Sequence, residues 1–295
     1  MTNKVLLRLK ERPAFLQNYK NPCWYSDEAG KRELRCLPYY HILGVSKSGT
    51  GDLSARIRAH EDVLDCGYRL GKSMYYWSNA RYGDGTPTDF YRFHRWEDIP
   101  QNAGLTEPVV VTPHLMKHVY KDPKFIIIFR NPTDRLYSDY IFLNHGDSPQ
   151  SFHKHVLQAI QIEEECMRNN TVRQCLYSLD VSKQLPTRIF IGYYSVYMKE
   201  WLNVFRRENF LILRTEDYNH DMKGTLRKVY DYLKLNYNEE FLTSVVNIPH
   251  MHVTERKRKA GPMLKETRLL LDKLYRPYLE ELAVLLQDKR FLWLT

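Results

Sequence analysis

A short loop combines glycine, hydroxyl and lysine side chains in a way that suits the binding of an anion. Its sequence is Gly44-Val45-Ser46-Lys47-Ser48-Gly49-Thr50-Gly51. Glycines let backbone N–H groups approach an anion, a helix that starts after the loop adds its positive end, and Lys47 supplies a full charge. The order is not that of a nucleotide-triphosphatase P-loop, in which the lysine follows the second glycine. A tight strand-to-helix turn that contains a lysine is the alternative interpretation.

An arginine and a serine further along the chain form a second candidate phosphate-binding pair. Arg130 follows the apolar run at residues 125–129, and Ser138 lies on the helix predicted to come next. A guanidinium fork together with a hydroxyl can hold a phosphate with both charge and direction. Taken alone, Arg130 could also be an ordinary surface charge.

The elements that must position these residues follow from the hydrophobic pattern. Strands are predicted at residues 38–45, 109–111, 125–129 and 210–213. Helices are predicted at residues 52–60, 133–143, 151–168, 193–205, 222–233 and 265–286. Strands that alternate with helices indicate an α/β fold with a P-loop-like central parallel sheet flanked by helices. Ligands of such folds bind at the carboxyl ends of the strands, which is where both candidate groups lie.

The length and pattern favour one domain over residues 36–295, preceded by an irregular leader over residues 1–35. Hydrophobic residues make up 43% of the chain, enough for a core, and the formal net charge of +9 favours an anionic partner. The charge does not choose among nucleic acid, an anionic membrane and an acidic polysaccharide. No apolar run approaches the roughly 20 residues of a membrane helix, and the first ten residues are too charged for a secretion signal. The chain is therefore expected to be soluble as given, either cytosolic or one part of a longer secretory precursor.

The cysteines favour the secretory alternative. Four of the five lie in two local pairs, Cys23 with Cys36 and Cys166 with Cys175, which leaves Cys66. Neither pair has the spacing of a zinc or redox motif, and whether they form disulfides stays open. A glycosylation sequon, Asn169-Asn170-Thr171, lies between the second pair. Together these features indicate an oxidising compartment.

The two candidate groups, in this order and with this separation, resemble the two PAPS-binding signatures of the sulfotransferase superfamily. The resemblance implies that the first group holds the 5′-phosphosulfate, through Lys47, Ser48, Gly49 and Thr50. Gly51 departs from the second threonine usual there, so one hydroxyl contact is lost. Arg130 and Ser138 match the pair that holds the 3′-phosphate.

A basic stretch near the end of the chain, at residues 256–261, lies where the superfamily closes a loop over the nucleotide. The resemblance implies that Arg258, Lys259 and Gly261 bind the nucleotide there. A solvated run of charges is the alternative interpretation of this stretch.

Further stretches resemble one branch of the superfamily, the N-acetylgalactosamine 4-sulfate 6-O-sulfotransferases (carbohydrate sulfotransferase 15). They lie at residues 21–25, 34–38, 135–140, 192–197 with 201–202, 210–214 with 216–217, and 261–263 with 275–277. This branch implies a Golgi type II membrane glycoprotein with disulfides. Since no membrane anchor is evident in the sequence as given, a fragment or a divergent form of such a protein is expected. The branch also implies PAPS as donor, PAP as product, no metal, no nucleic-acid partner and chondroitin or dermatan sulfate as acceptor. The expected reaction is sulfo transfer to the 6-hydroxyl of N-acetylgalactosamine 4-sulfate.

The chain departs from this family at the catalytic base. Related enzymes carry a Lys-Glu pair, and the nearest counterpart here is Lys72-Ser73, followed by a shortened segment over residues 73–83. Lys47 is expected to stabilise the leaving group. Asp84, or alternatively His94, is considered as the base. A catalytically impaired relative that still binds PAP and polysaccharide, and a P-loop nucleotide kinase, are the competing functions. The position of Lys47 and the lack of an evident magnesium-binding aspartate disfavour the kinase.

Overall fold

The structure is a computed structural model that describes residues 13–28, 30–63, 87–250 and 260–294. Within these ranges the chain forms two β-sheets. An antiparallel hairpin is formed by β1 (Cys23–Glu28) and β2 (Lys31–Cys36), and a parallel sheet is formed by β3 (Tyr40–Gly44), β4 (Lys124–Phe129) and β5 (Phe210–Arg214). The helices are α1 (Thr50–Arg58), α2 (Thr112–Val119), α3 (Pro132–Phe142), α4 (Pro149–Met167), α5 (Val172–Tyr177), α6 (Leu179–Gln184), α7 (Tyr194–Val204), α8 (Thr215–His220), α9 (Met222–Leu233), α10 (Glu239–Val246) and α11 (Lys265–Leu286).

The parallel sheet has β4 at its centre. The strand order is β3-β4-β5, and Phe125 of β4 pairs with His41 on one side and with Phe210 on the other. Residues 125–129 are all fully buried, as expected when helices cover both faces of a parallel strand. The predicted α/β class with helices on both sides of a parallel sheet is confirmed.

Alternate residues of β4 belong to two separate hydrophobic cores, because successive side chains of a strand point to opposite faces. Phe125, Ile127 and Phe129 pack into a large aromatic core with α3, α4, α7 and α11. Ile126 and Ile128 pack into a smaller core that α1, α9 and α10 complete. The continuous apolar run that predicted the strand thus serves both cores at once.

Two local predictions are wrong. The segment at residues 1–35 was expected to be irregular, but β1 and most of β2 lie within it, and a disulfide joins Cys23 to Cys36. The disulfide links the two residues that face each other at the open end of the hairpin, so the strands are held together covalently as well as by hydrogen bonds. The boundary between a leader and a domain that starts at residue 36 remains a prediction.

Residues 109–111 do not form the predicted strand. Instead, the buried side chain of Asn102 binds their backbone. Its Oδ1 atom accepts hydrogen bonds from the N–H groups of Val109 (3.0 Å) and Val110 (2.9 Å), and its Nδ2 atom donates to the Val110 carbonyl (2.7 Å). A side chain supplies the partners that a neighbouring strand would have offered, so the β-branched run stays a loop.

Candidate active site

The loop between β3 and α1 presents backbone N–H groups without a side chain to cap them. Lys47 and Gly49 have positive φ angles of 68° and 86°, and Gly49 occupies the N-cap position of α1 with no side-chain hydrogen bond. The first N–H groups of a helix lack partners within the helix, so this end of α1 favours an anion. The Ser48 hydroxyl is buried and has no hydrogen-bond partner in the part of the chain that the structure describes. An anion in the loop would supply the missing acceptors.

Close packing explains the glycine at the start of this loop. A Cβ atom at Gly44 would lie 3.0 Å from the Phe90 Cβ atom and 3.1 Å from the Pro87 carbonyl oxygen. The Phe90 N–H group donates to the Leu43 carbonyl (3.1 Å), which holds the turn at residues 87–91 against the end of β3. Glycine is therefore needed where two backbone segments approach each other.

Arg130 brings the two predicted groups together. It follows the last residue of β4, and its Nη1 atom donates a hydrogen bond to the Lys47 carbonyl oxygen (3.2 Å). Burial lowers the pKa of Arg130, while the nearby carboxylates of Asp134 and Glu216 act in the opposite direction. The site therefore holds a guanidinium that has lost much of its hydration, which is the state in which it binds an anion most strongly.

The helix that carries Ser138 is fixed at its start by Asn131. The Asn131 Oδ1 atom accepts from the N–H groups of Thr133 (3.0 Å) and Asp134 (3.2 Å), and Pro132 occupies the first helical position. The Thr133 hydroxyl donates to Asp272 of α11 (2.6 Å), so α3 is also tied to the long C-terminal helix. Ser138 lies in the second half of α3 and is buried.

The sequence analysis missed Thr215, which directly follows β5 and connects the end of β4 with the loop that follows β3. Its Oγ1 atom lies 2.8 Å from the Ser48 carbonyl oxygen and 2.9 Å from the Phe129 carbonyl oxygen, within reach for donation to either. Next to it, Glu216 accepts a hydrogen bond from the Asn131 N–H group (2.9 Å). Its position directly after β5 was the available signal, since the rule that places ligands at strand ends applies to β5 as well.

Aromatic side chains surround the loop. The Tyr91 hydroxyl and the Ser46 hydroxyl are 2.8 Å apart, and the Tyr194 hydroxyl donates to the Arg130 carbonyl oxygen (2.9 Å). The Lys47 Nζ atom lies 3.5 Å from the centre of the Phe142 ring, a cation–π contact with the last turn of α3. The Lys47 ammonium is thus oriented toward the helix that carries Ser138.

The predicted basic stretch is described only at its end. Arg258 and Lys259 lie outside the described residues. Gly261 is described, has a φ angle of 77°, and accepts a hydrogen bond at its carbonyl oxygen from the Tyr137 hydroxyl (2.9 Å). Tyr137 immediately precedes Ser138, so the chain that leaves the basic stretch is attached to the helix of the second candidate group.

The two candidate bases differ in what the structure shows. Asp84, like Lys72 and Ser73, lies outside the described residues. His94 is buried, its ring packs edge-on against Phe190 (5.2 Å between ring centres), and its Nε2 atom has no partner among the described residues. Burial, and to a smaller extent the charge of Arg92, lowers the pKa of His94 to about 4. His94 is therefore neutral at pH 7 and packed in the core.

The fold and the site define a class of α/β protein with a candidate phosphate-binding loop at the carboxyl ends of a parallel sheet, and the lysine of this loop does not lie where a triphosphatase P-loop has it. Residues 39–277 match the family described as the sulfotransferase domain, and the chain belongs to that family. The predicted superfamily is confirmed, and the match disfavours the nucleotide kinase.

Individual relatives agree with this family. The chain is 29% identical to carbohydrate sulfotransferase 15 of Mus musculus over 100% of its own length and 62% of that protein's length. It is 39% identical to carbohydrate sulfotransferase 15 of Nototodarus sloanii over 46% of this chain and 87% of that one. The chain thus spans a little under two thirds of the mouse relative.

A solved structure supports the fold. The sulfotransferase from Alicyclobacillus acidocaldarius superposes with a TM-score of 0.53 at 19% identity, covering 85% of this chain and 96% of that one. Among the described residues no helix is long and apolar enough to cross a membrane. Over the same ranges, no three His, Cys, Asp or Glu side chains are grouped to hold a metal ion.

Proposed function

We propose that this chain transfers a sulfo group from PAPS to a hydroxyl of a sulfated glycosaminoglycan. The observation that carries the proposal is the hydrogen bond from Arg130 to the Lys47 carbonyl, because it links the two candidate phosphate-binding groups, which are far apart in sequence. Family membership supports the reaction class. Sulfated polysaccharide as acceptor is supported by the relatives named carbohydrate sulfotransferase 15 and by the formal net charge of +9.

The residues of the site fit a donor with phosphate groups at two ends. The uncapped start of α1 and the unpartnered Ser48 hydroxyl suit the 5′ side, together with Gly49, Thr50 and Gly51. Arg130 and Ser138 suit the 3′-phosphate. Arg258, Lys259 and Gly261 are proposed to cover the nucleotide, supported by the contact of Gly261 with Tyr137.

When bound, PAPS supplies the sulfo group and is released as PAP. Lys47 is assigned to stabilise the negative charge that develops on the leaving oxygen, because a preorganised cation at that position lowers the barrier. A general base, a carboxylate or a histidine, must take the proton of the attacking hydroxyl, and we assign this role to Asp84. No step of this assignment uses a metal ion.

The finer assignment concerns the acceptor and the compartment. We propose the 6-hydroxyl of N-acetylgalactosamine 4-sulfate in chondroitin or dermatan sulfate, in the Golgi lumen. The likeness to carbohydrate sulfotransferase 15 supports the acceptor, and the two disulfides support an oxidising compartment.

Two measurements test the proposal in sequence. Thermal unfolding with PAP or with ATP should show stabilisation by PAP at concentrations at which ATP has little effect. Incubation with PAPS and chondroitin sulfate A, followed by disaccharide analysis, should then show a 4,6-disulfated unit. Lys47→Met is expected to abolish transfer, whereas Lys183→Met, a matched change at an exposed lysine of α6, should leave it intact. Binding of PAP without transfer to any glycosaminoglycan would favour the catalytically impaired relative, and absence of PAP binding would refute both.

A further inference from the structure

We propose that Asn169 carries an N-linked glycan. The sequence contains one Asn-x-Ser/Thr triplet without proline at the middle position, Asn169-Asn170-Thr171. The triplet Asn131-Pro132-Thr133 is excluded by its proline and caps α3 instead. Asn169 lies on the turn between α4 and α5, and its side chain is exposed to solvent. An acceptor asparagine must be accessible in this way to keep its glycan outside the fold.

The two disulfides indicate that the chain folds in an oxidising compartment, where asparagine glycosylation also takes place. Cys166 and Cys175 are bonded to each other and enclose the triplet, and Cys23 and Cys36 form the second bond. Disulfides persist in the secretory pathway and outside the cell, and the secretory pathway is also where asparagine glycosylation occurs. The loop between Cys166 and Cys175 therefore contains both a disulfide and a sequon, and both modifications are made in the secretory pathway.

The folded turn accommodates a modified Asn169 without loss of its own hydrogen bonds. The Asn170 Nδ2 atom donates to the Cys166 carbonyl oxygen at the end of α4 (2.9 Å). The Thr171 hydroxyl accepts from the Gln174 N–H group (3.1 Å) and donates to Glu107, so it caps α5. The fold thus uses the side chains of the two residues that follow Asn169, while the exposed Asn169 amide is available for the sugar.

The sequon lies away from the donor site. Helix α7 starts at Tyr194, which contacts Arg130, and reaches Trp201, whose ring packs on Phe125 at the beginning of β4 (5.1 Å). The neighbouring Glu200 accepts a hydrogen bond from Arg173 of α5 (2.6 Å). Through Arg173, helix α5 and the turn before it are therefore attached to the part of α7 that packs on the start of β4, and not to the first turn of α7, which contacts Arg130. A glycan on Asn169 should leave donor binding unchanged.

The test is expression of the whole chain behind a cleavable signal peptide in mammalian cells. We expect the secreted protein to shift in gel mobility after treatment with peptide N-glycosidase F. When the same treatment is carried out in oxygen-18 water, the glycosylated Asn169 should be converted to an aspartate that carries the heavy oxygen. Peptide mass spectra would detect the resulting increase in mass. Asn169→Gln and Thr171→Ala should abolish the shift, whereas Asn170→Gln, which keeps the triplet, should retain it.

Donor binding separates this proposal from the proposed function. The Asn169→Gln protein should be stabilised by PAP as much as the glycosylated protein is. A secreted, disulfide-bonded wild-type protein whose Asn169 peptide is unmodified would overturn the glycan proposal, whatever the outcome of the PAP measurement. A glycan at Asn169 that weakens PAP stabilisation would overturn the assigned position of the sequon.

Discussion

Replacing Arg130 by methionine tests the central feature of the site, because it removes the charge while keeping a long apolar side chain. A hydrogen bond to a charged group contributes about 1.5–3 kcal/mol, and two unit charges about 4 Å apart attract by about 4 kcal/mol at an effective dielectric constant of about 20. Allowing for the hydration that phosphate and guanidinium lose, we expect PAP binding to weaken by about 3 kcal/mol, or about 150-fold in Kd. Arg130→Lys keeps the charge but loses the fork, so we expect a loss of about tenfold.

Folding stability should respond differently from binding. Burial lowers the pKa of Arg130, so the folded protein bears a cost for keeping this group charged when no anion is present. Its hydrogen bond to the Lys47 carbonyl offsets part of that cost. We therefore expect Arg130→Met to change the free energy of unfolding of the ligand-free protein by less than about 1 kcal/mol.

The assay is isothermal titration of PAP together with urea unfolding of the same samples. Arg227→Met is the matched control. Arg227 is partly exposed on α9 and forms an ion pair with Glu239, and neither residue belongs to the candidate site. This substitution removes the same charge from the chain and should leave Kd unchanged. If Arg130→Met bound PAP within about fivefold of the wild-type protein, the assignment of Arg130 to a phosphate would be wrong.

Three further substitutions test how the fold supports the site. Thr215→Val removes the hydroxyl that connects the end of β4 with the loop after β3, so it should cost about 1–2 kcal/mol of stability and weaken PAP binding. Urea unfolding and titration would show both effects, and an unchanged Kd would contradict a positioning role for Thr215. Burial raises the pKa of Glu163 to about 8, so the folded state holds a proton that the unfolded state releases above about pH 4.5. The free energy of unfolding should therefore fall by on the order of 4 kcal/mol as the pH rises from about 5 to 8. Glu163→Gln should reduce this dependence on pH, as urea unfolding at a series of pH values would show. The same pH dependence in both proteins would refute this reasoning. Replacing both Cys23 and Cys36 by serine should lower the free energy of unfolding by about 3 kcal/mol, because their disulfide closes a short loop in the unfolded chain. An unchanged melting temperature would argue against a stabilising role for this disulfide.

The regular elements could be read from the sequence because their patterns are local. The helix predicted over residues 222–233 is α9 (Met222–Leu233), and the one predicted over residues 265–286 is α11 (Lys265–Leu286). The central strand was evident because a strand buried on both faces must be apolar at every position. Residues 109–111 show the limit of this reasoning, since their β-branched pattern was right for a strand but Asn102 took their hydrogen bonds.

The sequence by itself determined the α/β class and made the loop around Lys47, Arg130 and Ser138 candidates for the site, because glycines, charges and periodic apolar residues act over a few neighbouring positions. Only the tertiary structure decided that Arg130 would reach the Lys47 carbonyl, that Thr215 would join the strand ends, and that Tyr137 would hold Gly261. Those contacts join residues more than eighty positions apart. Their existence depends on strand order and helix packing, which are set by burial of the whole core rather than by any short pattern.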